Sequence, residues 1–378
     1  MTSVWWLPGP AHFAVAIRSR LERGCSVLAG LPSPLLGDPA FRAGLLQTVD
    51  YATDSIDDCG DARRPLASIV AEQFAIEDIR PGPDATAALA RHGTLASRVL
   101  VAVAQDPGRW ERWARFAVPF VAAAKAVPIA ERPRLLLLGG AAISALTARD
   151  PLLSDVWWWG VLDRLDTAFH VKNQLGGTSD DLRRDSIAEV AGFDLRLADH
   201  LATTWDGSAA TLPASLKHFD GPSLPDPGSP TALRTISTPL STPPASLLPM
   251  WEQGLVDRWD SFPAYWHACV LPTPAELRSR IWRAQVRALM PTIDEERARI
   301  EGWLRRQVQG LANDAALEPR DLYVLLQEHP YLKTWRGGHR KRLIYWLRDA
   351  RNTLAHMGLL TPGEVARGWR LIAEDRRG

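Results

Sequence analysis

The stretch that decides the fold is RVLVAV, residues 98–103, in which five apolar residues follow one arginine. An uninterrupted apolar run of this length is typical of a strand that is buried on both faces of a parallel sheet. Apolar residues then recur at helical spacing over 110–126, and the run RLLLL follows at 134–138. A buried strand, a helix and a second buried strand predict a parallel crossover unit.

Two more short apolar runs lie before and after this unit, SVLA at 26–29 and DVWWWG at 155–160. An amphipathic helix over 12–23 precedes the first of them. Short buried strands that alternate with helices are the pattern of a parallel sheet with helices on its faces. We therefore predict an α/β domain over residues 1–204.

In outline, this order of strand, loop, helix and further buried strands is similar to P-loop ATPase-like domains. A phosphate-binding loop requires GxxxxGK[S/T], whose backbone N–H groups and lysine surround the phosphates. Residues 30–38 read GLPSPLLGD instead, with no lysine, two prolines that remove N–H donors, and Asp38, which would repel a nucleotide. After the strand at 98–103, Asp106 offers at best one carboxylate for magnesium. We expect a degenerate domain, lacking a P-loop, that serves as scaffold or sensor.

Composition changes after residue 204. Residues 205–250 contain nine prolines and many Ser, Thr and Gly, which is typical of a linker or an extended wrapping segment. Residues 251–378 are predicted to be all-helical. Thr273 and Pro274 mark a helix start, and Pro291 is expected to begin a new helix that runs to about residue 311. Further helices are expected over 318–327, 339–357 and 362–374.

The most specific pattern in the chain is RNTLAH, residues 351–356. With 39 Arg and 9 His, an arginine followed five positions later by a histidine is expected about once by chance. The chain has 3 Asn, and requiring Asn directly after the arginine lowers this expectation to roughly 0.007. The pattern lies on a predicted amphipathic helix whose core face contains Leu343, Ile344, Leu347, Leu354 and Ala355.

On this helix Arg348, Asn352 and His356 share one stripe, each one turn apart. Arg351 lies about 100° around the helix, and its long side chain can reach the same edge. An arginine supplies a fixed cation and a histidine moves protons near neutral pH, which suits cleavage of an RNA phosphodiester without a metal. We expect Gly358 to form a left-handed C-cap and the helix end to raise the pKa of His356. The alternative is a surface helix whose Arg and His cap carbonyls or form solvated pairs.

The motif resembles the R-[N/H/D]-x3-H signature of the HEPN superfamily, and the predicted helical bundle resembles HEPN architecture. The resemblance implies a metal-independent endoribonuclease that leaves a 2′,3′-cyclic phosphate and needs no cofactor. It makes His356 the general acid or base, Arg351 the group that stabilises charge on the phosphate, and Asn352 an orienting or phosphate-binding residue. It also implies a homodimer with a composite site, in a bacterial anti-phage or toxin-type system.

A basic run over residues 333–342 lies just before this helix, and its aromatic residue, Trp335, is one on which an RNA base could stack. The alternatives are that the run is a solvated loop between helices and that Trp335 is a packing residue. The side chains that we predict to bind RNA are Arg336, His339, Arg340, Lys341, Arg342 and Arg348.

Charge is unevenly distributed along the chain. Residues 276–378 have 20 Lys and Arg against 13 Asp and Glu, whereas residues 1–275 have 24 against 30. A basic C-terminal region fits a surface that binds a polyanion, although the two regions could equally attract each other.

Other residues exclude several classes of site and protein. Three widely separated cysteines and scattered histidines indicate neither a disulfide framework nor a metal site. The longest apolar segment, 135–146, is too short to span a membrane, and we expect a cytoplasmic protein. A second hypothesis is a non-catalytic adaptor that binds RNA or a protein partner within a defence complex.

Overall fold

The computed structural model describes residues 4–56, 64–147, 150–176, 181–222, 241–271, 273–308, 316–334 and 338–377. The chain forms two compact units. The first contains Met1–Asp166 and Pro222–Val270, and the second contains Thr167–Gly221 and Leu271–Gly378.

The first unit is an α/β fold. Its helices are α1 Pro8–Glu22, α2 Ser33–Leu36, α3 Pro39–Val49, α4 Leu66–Gln73, α5 Ala85–Leu89, α6 Pro107–Ala124, α7 Ser144–Thr147 and, from the later segment, α12 Leu248–Glu252. Its strands are β1 Ser26–Gly30, β2 Thr53–Ser55, β3 Val99–Ala104, β4 Arg134–Gly139, β5 Leu153–Trp157, β6 Val256–Trp259 and β7 Phe262–Trp266. Short 3₁₀ turns lie at Gly93–Leu95, Ala141–Ile143 and Ala268–Val270.

Five of these strands form one parallel sheet in the order β2-β3-β4-β1-β5. Val27 of β1 is in register with Leu136 of β4, and Val99 of β3 with Arg134. The central strands β1 and β4 are buried throughout, which is why their sequences are continuous apolar runs. The predicted parallel α/β fold is therefore confirmed, and the four predicted strands correspond to β1, β3, β4 and β5.

The last two strands correct the expectation that the chain is all-helical after residue 251. β6 and β7 pair antiparallel as a hairpin, with Val256 opposite Trp266. Aromatic residues are enriched in strands because they pack well on a pleated surface, and Trp259 lies against Tyr265 with ring centroids 4.6 Å apart.

The second unit consists, within the described residues, of helices. Helix α8, Arg164–Gln174, leads into it from the first unit. The others are α9 Asp181–Ala191, α10 Leu195–Thr204, α11 Leu212–Lys217, α13 Pro274–Gln307, α14 Pro319–Glu328, α15 Pro330–Thr334, α16 Gly338–Ala355 and α17 Pro362–Arg377.

Helix α13 is continuous over 34 residues, so the predicted break at Pro291 is wrong. Proline removes one backbone N–H donor and is disfavoured inside a helix. Here the buried stripe of Leu289, Ile293 and Ile300 continues through the proline, and packing of that stripe keeps both halves in one helix.

The two units do not follow the predicted domain bounds, which were 1–204, 205–250 and 251–378. Helix α9 packs along α13, and its buried Glu189 pairs with Arg283 and Arg287. Residues 167–204 therefore belong with the C-terminal helices. The hairpin belongs with the sheet, because Asp257 accepts a hydrogen bond of 2.8 Å from the backbone N–H of Gly160.

Candidate functional site

Helix α16 carries the arginine–histidine motif, and its packing places the motif in a defined orientation. Five side chains on one face are buried in the core of the second unit: Leu343, Ile344, Leu347, Ala350 and Leu354. The predicted core face is thus largely as observed, except that Ala355 is exposed. Asn352 and His356 are exposed, and they lie one turn apart at the C-terminal end of the helix.

The end of α16 differs from the prediction. Met357, not Gly358, has the left-handed backbone, with φ of 57°. The N–H of Met357 bonds Leu354 O at 3.1 Å and that of Gly358 bonds Thr353 O at 2.8 Å, the two bonds of a Schellman motif with His356 as C-cap residue. Gly358 is required for space instead, because a Cβ there would lie 2.9 Å from the carbonyl oxygen of Thr353.

Arg351 makes an ion pair with a residue at the start of another helix. Its Nη2 lies 2.6 Å from Oε2 of Glu318, which directly precedes α14, and the two side chains are 34% and 52% exposed. Its Nε is buried and has no hydrogen-bond partner within the described residues. Among the described residues, the guanidinium is thus held through Nη2, at the surface.

Asn352 was predicted to orient the imidazole of His356 or to bind a phosphate oxygen. Within the described part of the chain, no hydrogen bond joins their side chains, although the backbone N–H of His356 bonds Asn352 O at 3.1 Å. Both side chains are exposed. They are therefore accessible to a ligand.

Arg348, on the same stripe, is engaged within its own unit. Its Nε and Nη2 lie 2.8 and 2.5 Å from Oδ1 of Asp349, and its guanidinium lies 3.9 Å from the ring centroid of Tyr323. The hydrogen bond to Asp349 raises the pKa of Arg348 above its ordinary value. Stacking and pairing together make this arginine a less available phosphate ligand than the sequence predicts.

The remaining predicted RNA-binding side chains also have carboxylate or other partners. Nδ1 of His339 lies 2.9 Å from Glu374 and 2.8 Å from Nη2 of Arg342, and the hydrogen bond from His339 lowers the pKa of Glu374. Arg340 donates from Nε to both oxygens of Asp375, at 2.9 and 3.2 Å. Lys341 also makes an intramolecular contact. Arg336 lies outside the described residues.

Buried carboxylates engage several arginines of this basic region. Each of them accepts contacts from two arginines, and they are Glu189, Glu296, Glu301 and Asp375. Burying an ionised group without a partner is costly, so each buried acid requires its arginines. Seven arginines therefore hold buried acids and are less available to a phosphate.

The carboxyl edge of the sheet is where ligands bind in open α/β folds, at the point where chain connections diverge. The chain leaves β1 towards β2 at one edge and leaves β4 towards β5 at the other, so this point lies between β1 and β4. Glu252 lies next to the end of β4 at this edge: its carboxylate accepts the N–H of Ala141 at 2.9 Å and lies where a Cβ of Gly140 would be. Asp38, predicted to repel a nucleotide, caps α3 through the N–H groups of Ala40 and Phe41.

No protein-family model, curated protein or solved structure matches this chain significantly. In the part of the chain that the structure describes, no group of three or more His, Cys, Asp or Glu could hold a metal ion. Likewise, none of the described helices has both the length and the apolar character needed to cross a bilayer.

The sequence alone did not indicate Glu318 and Glu252, which lie against the two candidate sites. Glu318 is 33 positions from Arg351, and no periodicity connects them. The signal available for Glu318 was the Glu–Pro pair at 318–319, a helix start. Glu296 could have been found, since a charged residue on the apolar stripe of Ile293 and Ile300 indicates a buried ion pair.

Proposed function

We propose that the second unit is a metal-independent endoribonuclease of the HEPN type, with Arg351, Asn352 and His356 at its site. The observation that supports this proposal most is the position of the motif on the surface of an anchored helix. One face of α16 is fully anchored in the core, while Asn352 and His356 are exposed at its end and Arg351 lies beside them with its guanidinium partly accessible. A rigid helix that presents proton-transfer and cationic groups to solvent suits catalysis on a large polymer.

The reaction would use the RNA's own 2′-hydroxyl. The imidazole of His356 takes the hydroxyl proton as the 2′-oxygen bonds to the adjacent phosphorus. The bond from phosphorus to the 5′-oxygen breaks, and that oxygen takes a proton from an imidazolium. Arg351 stabilises the negative charge that develops on the phosphoryl oxygens. The products are a 2′,3′-cyclic phosphate and a 5′-hydroxyl, so no water or metal enters the bond-breaking step.

The chain has one copy of the motif, so taking and giving protons at the same time requires two histidines. We propose a homodimer in which the partner subunit's His356 supplies the second. Symmetric pairing of α16 ends would place both motifs at one interface. We place this enzyme in the cytoplasm, in a bacterial anti-phage or toxin-type system.

The first unit would act as scaffold or sensor. Glu252 lies against the residues that follow β4 at the carboxyl edge, and its negative charge there opposes an anionic ligand. We therefore propose that this degenerate P-loop-like fold positions or regulates the helical unit without nucleotide hydrolysis.

A non-catalytic adaptor is the second candidate, and a specific observation favours it. His339, Arg340, Arg342 and Arg348 all have carboxylate partners, so the surface near the motif is less cationic than an RNA-binding surface usually is. In this version the helical unit binds RNA or a protein of a defence complex and cuts nothing.

The experiment that separates the two candidates is cleavage of a defined RNA in EDTA by the full chain and three variants. We expect His356→Ala and Arg351→Ala to reduce the rate at least 100-fold, because each removes a group that acts at the scissile phosphate. His218→Ala is the control, since it removes an exposed histidine of the same unit that is not among the predicted RNA-binding side chains, and it should retain the rate within a few-fold. Equal rates for His356→Ala and His218→Ala, or RNA binding without cutting, would favour the adaptor.

A further inference from the structure

We propose that Glu318 gates the site, an inference that rests on the proposed function. In the free protein its carboxylate holds the guanidinium of Arg351. When RNA binds, a phosphate oxygen replaces the carboxylate on Arg351. Glu318 is therefore a regulatory residue that acts through Arg351.

The geometry distinguishes this pair from its neighbours on α16. Arg348 contacts Asp349 through two nitrogens, and Arg340 contacts both oxygens of the buried Asp375. Arg351 contacts Glu318 through Nη2 in the pair that the structure describes, and its buried Nε has no partner within the described residues. Arg340 is held by a buried acid and Arg348 by two of its nitrogens, whereas Arg351 contacts an exposed carboxylate through one nitrogen, so its pair is the one that a phosphate displaces most readily.

Because the ion pair of Arg351 and Glu318 is exposed, a phosphate can replace the carboxylate at a small cost in free energy. Both partners of the pair are substantially exposed, and such pairs change equilibria by a factor of about two to five. A phosphate brings two or more acceptor oxygens to the planar guanidinium, whereas Glu318 engages one nitrogen. The RNA phosphate is therefore able to displace the carboxylate.

The negative charge of Glu318 determines the direction of its effect on RNA binding. With Glu318 in place the pair is neutral, and a phosphate that approaches Arg351 is next to a second negative charge. Replacing Glu318 by Gln removes that charge. The start of α14 is retained, because the backbone N–H of Glu318 still bonds Oδ2 of Asp321 at 2.9 Å, and the glutamine keeps a side-chain oxygen that accepts from the backbone N–H of Asp321, as the carboxylate does.

Binding of a 2′-O-methyl RNA oligonucleotide, which cannot form the cyclic phosphate, tests the gate directly. Fluorescence anisotropy at fixed low salt compares wild type, Glu318→Gln, Arg351→Ala and the double variant. We expect Glu318→Gln to bind about two- to fivefold more tightly than wild type. In the Arg351→Ala background the same substitution should change the affinity by less than half of that factor.

Asp349→Asn is the matched control, because it removes the same charge from an arginine on the same helix. Its effect on binding should not depend on Arg351. On unmodified RNA, Glu318→Gln should lower KM by the same factor and leave kcat unchanged, which a general loss of structure would not do.

The gate is overturned if Glu318→Gln binds no more tightly than wild type, if no variant binds, or if its gain persists in the Arg351→Ala background. A fall in kcat with weaker binding would make Glu318 a support for Arg351 and would also overturn it. Failure of the nuclease proposal gives a different result: His356→Ala then leaves the rate of RNA cleavage unchanged. The oligonucleotide comparison decides the gate in either case.

Discussion

Asp257 is a buried carboxyl group whose pKa departs far from its ordinary value. It is fully buried, and this desolvation raises its pKa to about 8, against the lowering effect of hydrogen bonds from the N–H groups of Gly160 and Arg258. Because the folded pKa is above the unfolded value of 3.8, the fold favours the protonated acid. Stability from this group is complete below the unfolded pKa and is lost as the pH rises through the folded pKa.

Asp257→Asn should therefore flatten the pH dependence of folding. Between about pH 5 and 8, the free energy of unfolding of the variant should gain on wild type by up to about 1.4 kcal/mol per pH unit. The amide keeps an acceptor oxygen for both N–H groups. Urea unfolding at pH 5, 7 and 9 measures this, with the exposed Asp84→Asn as control. Parallel pH profiles for wild type and Asp257→Asn would contradict the buried, protonated acid.

The motif shows how far single residues could be predicted. Helical spacing correctly predicted that Asn352 and His356 share one stripe and that Leu347 and Leu354 are buried, because this depends on local geometry. The partner of Arg351 could not be predicted, because Glu318 reaches it only through the packing of α14 on α16. The position of the left-handed residue was wrong by one, since Gly358 is used for close approach to Thr353.

Helix α13 shows how much buried charge contributes to stability, because a charged residue lies on its buried face. Glu296 is 1% exposed and accepts contacts from Arg299 and Arg376, at 2.8 and 2.5 Å. Both arginines are partly exposed, so water solvates them in part when the acid is removed.

Glu296→Ala should lower the free energy of unfolding of the second unit by about 2 kcal/mol, below the usual cost of breaking a fully buried pair. Glu295→Ala, a change of the exposed neighbouring residue, should cost less than about 0.5 kcal/mol. Thermal and urea unfolding of the two variants, side by side with wild type, provide the comparison. Equal losses would show that the buried ion pairs do not stabilise this helix.

The predicted elements are determined by local sequence, whereas the missed elements depend on tertiary contacts. Strands β1, β3 and β4 are continuous apolar runs, so composition alone identified them. Strand β2, Thr53–Ser55, is polar and exists because it pairs with β3 at the sheet edge. The hairpin of β6 and β7 and the unbroken α13 depend in the same way on tertiary packing that overrides local preference.

Across the whole molecule, charge and domain limits were the least predictable properties. The basic surplus of residues 276–378 suggested a polyanion-binding surface, yet buried acids such as Glu296 and Asp375 pair with several of those arginines. Net charge counts residues without their partners, so it overstates the free positive surface. The two compact units likewise combine segments that are distant in sequence, which composition along the chain does not show.

The proposal that Arg351 and His356 cut RNA without a metal is tested most directly by the chemistry of the products. A defined RNA is incubated with the full chain in EDTA, and the fragment ends are identified by mass spectrometry. Cleavage by these two residues should give fragments that end in a 2′,3′-cyclic phosphate, each followed by a fragment that starts with a 5′-hydroxyl. Intact RNA, or fragments with 3′-hydroxyl and 5′-phosphate ends, would contradict it.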